Sequence, residues 1–146
     1  MESKEAIRAF LETQSTLTLA TVDDDGTPRA APLFYVSDDD LNLYWLSSPT
    51  SRHSLNLGAH PQVAATIYPA VWAWTAIRGL QIEGIAGIVT GSEHRESILA
   101  CYQQKFNLPP DLNAIIEQST LYTLRPTWIR WLDNSVSFGF KAEITL

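Results

Sequence analysis

The chain has 146 residues, 45% of them hydrophobic, and a formal net charge of −6. This length and composition predict one globular domain over residues 1–146, with a core of its own. The negative charge argues against nucleic acid or an anionic membrane as the main partner, because both attract basic surfaces. No apolar run approaches the roughly 20 residues that span a bilayer, and the acidic, amphipathic start differs from a signal peptide. We therefore expect a cytoplasmic protein.

Residues 3–13 carry apolar side chains at helical spacing, and three short strands are predicted after them. The first strand, Thr16–Val22, ends in an Asp-Gly turn, which accepts the positive φ of a tight reversal. A return strand over roughly Pro28–Val36 and a third strand over Leu41–Leu46 follow. Acidic turns between short alternating strands are typical of an antiparallel meander.

The second half of the chain combines helices with four more strands. Helices are predicted to begin near Arg52, at a cap provided by Ser92, and at Asp111. No strand–helix–strand repeat is long enough for a parallel sheet, so we expect a mainly β fold, a small antiparallel barrel of six to seven strands with flanking helices. The four strands are predicted at Gln62–Tyr68, Ile77–Val89, Leu121–Leu132 and Val136–Leu146.

The fifth strand contains Gly79, Gly84 and Gly87. Glycine inside a strand is typical of a bulge or of a close approach between backbones. We therefore predict bends here, as at the corner of a closed sheet.

Few side chains are suited to holding a metal. Cys101 is the only cysteine, which excludes an internal disulfide and a cysteine zinc cluster. Its helical context predicts a small core residue. His53, His60 and His94 have no metal-like spacing; only His53 is placed to meet a ligand, and the other two are expected on the surface. We predict no metal site.

The clearest binding signal lies between the third and fourth strands. Thr50 or Ser51 can cap the following helix, so Arg52 and His53 fall in its first turn, where free N–H groups and the helix dipole favour an anion. A cation there costs roughly 0.3–1 kcal/mol unless an anion binds beside it. The pattern predicts a phosphate site, with a capped helix and a solvated arginine as the alternative. Its polar residues are Ser47, Ser48, Thr50, Ser51, Arg52 and His53.

Three segments together resemble the FMN-binding split-barrel family related to pyridoxamine phosphate oxidase. They are TLATVDDDGTPRAAPLFY, LYWLSSPTSRHSLNLGAHPQVAATI and GLQIEGIAGIV, and the resemblance covers nearly the whole chain from Thr16 onward. The closing WLDNSVSFGFK is similar to the end of uncharacterised members. The resemblance implies a split β-barrel with Greek-key-like topology, a homodimer, and FMN bound at the subunit interface.

The resemblance also implies roles for individual residues. Ser47, Ser51 and Arg52 match positions that hold the FMN phosphate, and His53 stands where lysine is common. The second strand lines the flavin ring; Arg29 is its only candidate cation, although alignment from Pro28 puts the family's arginine at Ala31. The candidate FMN-binding residues are Arg29, Ala31, Pro32, Leu33, Leu46, Ser47, Ser48, Ser51, Arg52, His53, Gln81, Trp131 and Asn134.

The end of the chain is expected to reach a second subunit. Trp128 and Trp131 are three residues apart in a strand, which places them on opposite faces. One can belong to the core while the other covers a ligand or an interface. We expect the segment Trp128–Phe140 to cross to the partner and to bring Trp131 and Asn134 to its flavin.

Two departures from the family pattern limit the functional prediction. In the family a lysine often ends the second strand, whereas this chain has Phe34 or a neighbouring residue there. The C-terminal arginine and histidine that hold the vitamin substrate in pyridoxamine phosphate oxidases have no match in this chain. We therefore predict an FMN-dependent oxidoreductase for another small substrate, with its catalytic residues unassigned. The alternatives are a haem protein on the same fold, using His53 or His60, and a non-catalytic flavin carrier or sensor. A deazaflavin fits less well, because few cations accompany Arg29 and Arg52.

Overall fold

The computed structural model describes residues 2–146. More residues of this part of the chain lie in strands than in helices; there are four α-helices and two short 3₁₀ turns (Trp74–Ala76 and Pro110–Leu112). The helices are α1 (Glu2–Thr13), α2 (Arg52–Ala59), α3 (Ser92–Phe106) and α4 (Asn113–Gln118). The strands are β1 (Thr16–Val22), β2 (Pro28–Phe34), β3 (Val36–Ser37), β4 (Leu43–Ser47), β5 (Gln62–Ile67), β6 (Arg78–Ile88), β7 (Thr120–Asp133) and β8 (Lys141–Thr145).

All strands belong to one antiparallel sheet with the order β2-β1-β5-β6-β7-β4-β3, and β8 pairs with β7. The two ends of this order, β2 and β3, are separated along the chain by a single residue, Tyr35. The sheet therefore curls until its ends meet, which is the geometry of a barrel. The prediction of a mainly β, antiparallel barrel with flanking helices is confirmed.

Tyr35 divides the predicted second strand in two. Its ring is fully buried, and its hydroxyl donates to the carbonyl of Leu11 at 2.7 Å. Before this residue the chain pairs with β1, and after it the chain pairs with β4. Counting β2 and β3 as the one predicted strand gives seven strands, as the sequence indicated.

The barrel interior is filled by inward-facing side chains of the strands and closed by α1. Alternate residues of β1 are buried, as expected for a strand with one face in the core. Phe10 on α1 packs edge-on against Trp131, with ring centroids 4.9 Å apart. Trp131 is 7% exposed, whereas Trp128 is half-buried. The two rings lie on opposite faces of β7, as predicted.

Gly84 marks a bulge between β6 and β7, where the pairing register shifts between Glu83 and Gly84. A Cβ atom built on Gly84 would lie 2.3 Å from the carbonyl oxygen of Arg125. The two backbones approach this closely only because the residue has no side chain. The predicted bulge is thus found at Gly84, while a Cβ on Gly87 would meet nothing within 4 Å.

Three details of the sequence prediction are wrong. Cys101 is exposed rather than buried, because α3 buries only Ile98 and Tyr102. Ser92 does not cap α3; the N-cap is Gly91, with a φ of 94°, and Ser92 is the first helical residue. The final strand begins at Lys141, since turns occupy the segment before it. Among residues 2–146, no helix has the length and apolar character needed to cross a bilayer.

Candidate functional site

A serine-rich turn joins the end of β4 to the start of α2. Ser51 is the N-cap: it has extended backbone angles, and its hydroxyl accepts from the N–H of Ser54 at 3.4 Å. The turn is closed by the N–H of Ser51, which donates to the carbonyl of Ser48. Arg52 and His53 are therefore the first helical residues, as predicted. Their backbone N–H groups have no acceptor within the helix, which leaves them available to an anion.

His53 turns its ring back over this turn. Its Nε2 lies 2.6 Å from the Ser47 hydroxyl and 3.3 Å from the Ser51 hydroxyl. Burial lowers the pKa of His53, so the neutral imidazole is favoured near pH 7. On the outer side, the hydroxyls of Ser48 and Thr50 are 3.0 Å apart. The turn thus gathers hydroxyl and imidazole groups that can each donate to a phosphate oxygen.

Asp23, at the end of β1, connects this turn to the first hairpin. One carboxylate oxygen accepts from Arg29 Nε at 2.9 Å and from Arg52 Nη1 at 3.0 Å. The other accepts from Asn56 Nδ2 at 2.9 Å. Hydrogen bonds from Arg29 and then Asn56, with a smaller effect of Arg52, lower the pKa of Asp23 to about 2. The carboxylate is therefore ionised at any ordinary pH and fixes Arg52 relative to the barrel.

Arg29 lies at the same cluster as Arg52. The sequence predicted it as a cation beside the flavin ring, but its guanidinium contacts Asp23 through both Nε and Nη2. Both arginines share the Asp23 carboxylate, and Asp25 also acts on Arg29. The groups here that favour an anion are therefore the guanidinium of Arg52 and the start of α2, rather than a net positive charge of the cluster.

The pH dependence of stability tests the role of Asp23. Because its folded-state pKa lies below the ordinary 3.8, its contribution to stability is complete above about pH 4 and is lost as the pH falls toward 2. We expect Asp23→Asn to be less stable than the parent by a constant amount between pH 7 and 5. This difference should shrink by pH 3, as measured by urea unfolding.

Asp24→Asn is the matched control, since that side chain is 92% exposed in the same turn. Its stability at pH 7 should stay close to that of the parent. A difference for Asp23→Asn that is unchanged between pH 5 and 2 would show that the ion pairs do not stabilise the fold.

Comparison with known proteins identifies the family to which the chain belongs. The family model described as pyridoxamine 5′-phosphate oxidase matches residues 3–132. The chain belongs to this family. It is 30% identical over 142 residues to a UPF0306 protein of Enterobacter sp. (strain 638), covering 97% of this chain and 95% of that protein. The predicted family, an uncharacterised branch related to pyridoxamine 5′-phosphate oxidase, is confirmed.

Two solved structures show the same fold. A haem-binding protein from Mycobacterium smegmatis superposes with a TM-score of 0.81 at 20% identity, over 98% of this chain and 57% of that one. General Stress Protein 26 from Bacillus anthracis str. Sterne superposes with a TM-score of 0.72 at 20% identity, over the whole of both chains. At these identities the similarity establishes the split-barrel fold and nothing further.

The remaining family-derived positions on β2, β4 and β6 lie in different surroundings. Arg29 and Pro32 are exposed on β2, whereas Ala31 and Leu33 are half-buried, and Leu33 packs against the core. Leu46 is half-buried directly before Ser47. Gln81 is exposed on the outer face of β6, where it lines a cavity of about 390 Å³ that also includes Trp128. The structure therefore brings the residues of the turn together, whereas Gln81 lies apart from them on the outer face of β6.

Trp131 and Asn134 lie toward the opposite end of β7 from the turn. Ser47 pairs with Thr120, and Trp131 follows eleven residues later, roughly 35 Å along the strand at about 3.3 Å per residue. The side chain of Asn134 is engaged within the chain: its amide nitrogen donates to the carbonyl of Trp74 and its oxygen accepts from the N–H of Gly139. Contact of Trp131 or Asn134 with a flavin across a dimer stays a prediction.

The three histidines lie apart from one another. His60 contacts Asp24 at 3.0 Å, and His94 lies 3.4 Å from the hydroxyl of Tyr44. Within residues 2–146, no group of three or more histidine, cysteine, aspartate or glutamate side chains could hold a metal ion.

Proposed function

We propose that the chain binds FMN by its phosphate at the turn formed by residues 47–53 and uses the flavin in redox chemistry on a small substrate. The observation that carries this proposal is the arrangement of Arg52 at the first position of α2, beside the hydroxyls of Ser47 and Ser51. A helix start with free N–H groups, hydroxyl donors and a guanidinium is a strong combination for a phosphate. Membership of the pyridoxamine 5′-phosphate oxidase family supports the same conclusion.

Each side chain of the turn has a definite task in this proposal. Nη1 of Arg52 donates a hydrogen bond to Asp23. Its Nε and Nη2 therefore remain free to donate to the phosphate. His53 holds the Ser47 hydroxyl in place. Bound FMN would supply one- and two-electron transfer, while the protein orients the ring and tunes its surroundings.

The proposal includes a homodimer with the flavin at the subunit interface. Two loops, residues 68–77 and 134–140, present large apolar side chains to solvent: Trp72 is fully exposed and Phe138 is 79% exposed. Trp74 packs against Phe138, with ring centroids 5.4 Å apart, which joins the loops into one surface. Monomeric soluble proteins rarely leave such a surface uncovered. A second copy is the partner we propose for it, with segment Trp128–Phe140 near the boundary.

Haem is the second candidate ligand, because the Mycobacterium smegmatis neighbour is described as haem-binding. In this chain the imidazoles of His53, His60 and His94 each contact a side chain of the protein. An axial haem ligand would have to give up that contact. A phosphate would meet the backbone N–H groups at the start of α2 and Nε and Nη2 of Arg52, none of which has to leave a partner. The chain's own residues therefore favour FMN.

Sedimentation velocity with visible absorbance detection tests the cofactor and the dimer together. With FMN added at micromolar protein, we expect the flavin absorbance to sediment with a species of twice the 16.3 kDa chain mass. The same run with haemin is the control and should give no sharp Soret band on the protein. If FMN stays free while haemin binds, the cofactor is haem and not FMN. If the flavin sediments with a single chain, the proposed homodimer is wrong.

A flavin carrier would bind FMN without turnover. Anaerobic addition of reduced nicotinamide nucleotides to the loaded protein separates this alternative from a reductase, since only a reductase bleaches the flavin at a catalytic rate.

A further inference from the structure

Asn56 lies inside α2, one turn after Arg52, and is only 8% exposed. Asparagine is a poor helix former, because its amide competes with the backbone for hydrogen bonds. Residues four positions apart lie on the same face of a helix, so Asn56 and Arg52 meet the same neighbours. A buried asparagine at this position is favourable only if its amide has partners.

The amide nitrogen of Asn56 has two partners at the end of the first strand. Nδ2 donates to the Thr21 hydroxyl at 3.2 Å and to Oδ1 of Asp23 at 2.9 Å. Thr21 is 2% exposed and points into the barrel, in line with the apolar Leu17 and Leu19. Valine has a similar shape and would fill this position without a polar group to satisfy. The Thr21 hydroxyl is therefore suited to holding Asn56 rather than to packing the core.

The buried polar side chains cluster at α2. Among residues 3–146 they are Thr21, Ser54 and Asn56. Ser54 and Asn56 belong to α2, and Thr21 bonds to Asn56. The Ser54 hydroxyl lies 2.7 Å from that of Ser51, the cap of the helix. Burial of a polar group is unfavourable without a partner, and in this part of the chain it occurs beside the turn proposed to bind phosphate.

Asp23 connects Asn56 to Arg52 through its two carboxylate oxygens. Oδ2 accepts from Arg52 at 3.0 Å and also from Arg29, and both of these long side chains are partly exposed. Oδ1 accepts from Asn56, which is short and buried. Asn56 therefore fixes the carboxylate relative to the barrel, and the carboxylate in turn limits the rotamers of Arg52. A guanidinium that is ordered before binding loses less conformational entropy when it meets a phosphate.

Asn56 differs from Asp23 in carrying no charge. The Asp23 carboxylate orders Arg52 but also repels a phosphate dianion nearby, so a substitution of Asp23 combines two opposite effects. Leucine has the branched shape of asparagine without its hydrogen-bonding groups. Asn56→Leu therefore removes the ordering and leaves every charge of the site in place.

We propose that Asn56 is a positioning residue for phosphate recognition. Through Asp23 it holds the guanidinium of Arg52 in place, and it thereby increases the preference of the site for a flavin with a phosphate over one without. The amide nitrogen donates to two protein groups, so Asn56 acts on the ligand through Arg52 rather than by contact. This inference rests on the proposed function, because the preference exists only if the phosphate of FMN binds at residues 47–53.

Fluorescence titrations with FMN and with riboflavin test this inference. Asn56→Leu should reduce the preference for FMN, measured as the ratio of the two dissociation constants, about 3- to 10-fold because a hydrogen bond that orders Arg52 is lost. Riboflavin affinity should be unchanged. Thr21→Val should reduce the ratio by a smaller factor, since Asn56 keeps its bond to Asp23. In an Arg52→Ala background, neither substitution should change the ratio further, because residues that act through one another are not additive.

Leu57→Ala is the matched structural control on α2. Leu57 is 2% exposed and belongs to the hydrophobic core. This variant should unfold at a lower temperature than the parent and keep the parent's ratio, which separates loss of helix packing from loss of Arg52 positioning. If Asn56→Leu does not fold, Thr21→Val decides by the same comparisons, with and without Arg52.

Equal affinity of the parent for FMN and riboflavin would overturn the proposed function and this inference together. If the parent prefers FMN and both Asn56→Leu and Thr21→Val keep its ratio, this inference alone is wrong. An equal loss of affinity for both flavins in Asn56→Leu also contradicts it, because that is the effect of a purely structural residue. The same conclusion follows if Asn56→Leu lowers the ratio as much in the Arg52→Ala background as in the parent.

Discussion

Arg52→Ala is expected to weaken FMN binding about 10- to 150-fold, or roughly 1.5–3 kcal/mol, the range for a hydrogen bond to a charged group. The guanidinium stands at the first position of α2, with Nε and Nη2 free of its contact to Asp23. Alanine would keep the helix and its Ser51 cap but remove this donor pair. Titration of FMN fluorescence with each protein gives the two dissociation constants.

Arg8→Ala is the matched control for this variant. Arg8 also pairs with an aspartate, Asp39, but from α1, which contributes nothing to the turn. FMN affinity should be unchanged in this variant. In the absence of flavin, Arg52→Ala should unfold close to the parent, since its side chain is mostly exposed. If Arg52→Ala binds FMN as tightly as the parent does, the phosphate does not bind at this turn.

Gly84→Ala is expected to lower the free energy of unfolding by about 3 kcal/mol. The added Cβ would lie 2.3 Å from the Arg125 carbonyl oxygen and 2.8 Å from a methyl group of Leu124. Neither neighbour is free to move, because β6 and β7 are paired along most of their length and Leu124 is fully buried. For a chain of this size the unfolding temperature should fall by roughly 6–12 °C, which calorimetry measures.

Gly87→Ala provides the comparison on the same strand. A Cβ at this position would meet nothing within 4 Å, so the unfolding temperature should change little. Equal effects of the two substitutions would mean that loss of glycine as such, rather than the close approach at the bulge, destabilises the barrel.

Local sequence signals were sufficient for the phosphate turn. The hydroxyls, the Ser51 cap and the position of Arg52 all lie within one turn of chain, where side chains act on their own backbone. The bulge at Gly84 was predicted for a similar reason, since glycine in a strand marks a close backbone approach. Such features need no knowledge of the distant chain.

Features that depend on distant pairing were missed. The sequence indicates only an Asp-Gly turn after the first strand, and not the role of Asp23 there, because the bonds of Asp23 to Arg29 and Asn56 exist only after α2 has packed beside β1 and β2. The division of the second strand at Tyr35 reflects closure of the barrel, which no local pattern encodes. Trp131 could be placed on one face of its strand, but its burial depends on Phe10 at the far end of the sequence.

The most direct test of the phosphate site compares FMN with riboflavin, which has the same ring and no phosphate. If the turn at residues 47–53 binds the phosphate, the parent should bind FMN at least about 100-fold more tightly than riboflavin, or roughly 2.7 kcal/mol. In Arg52→Ala this ratio should fall at least about tenfold, with riboflavin affinity unchanged. Equal affinity of the parent for FMN and riboflavin would contradict the assignment of this turn as a phosphate site.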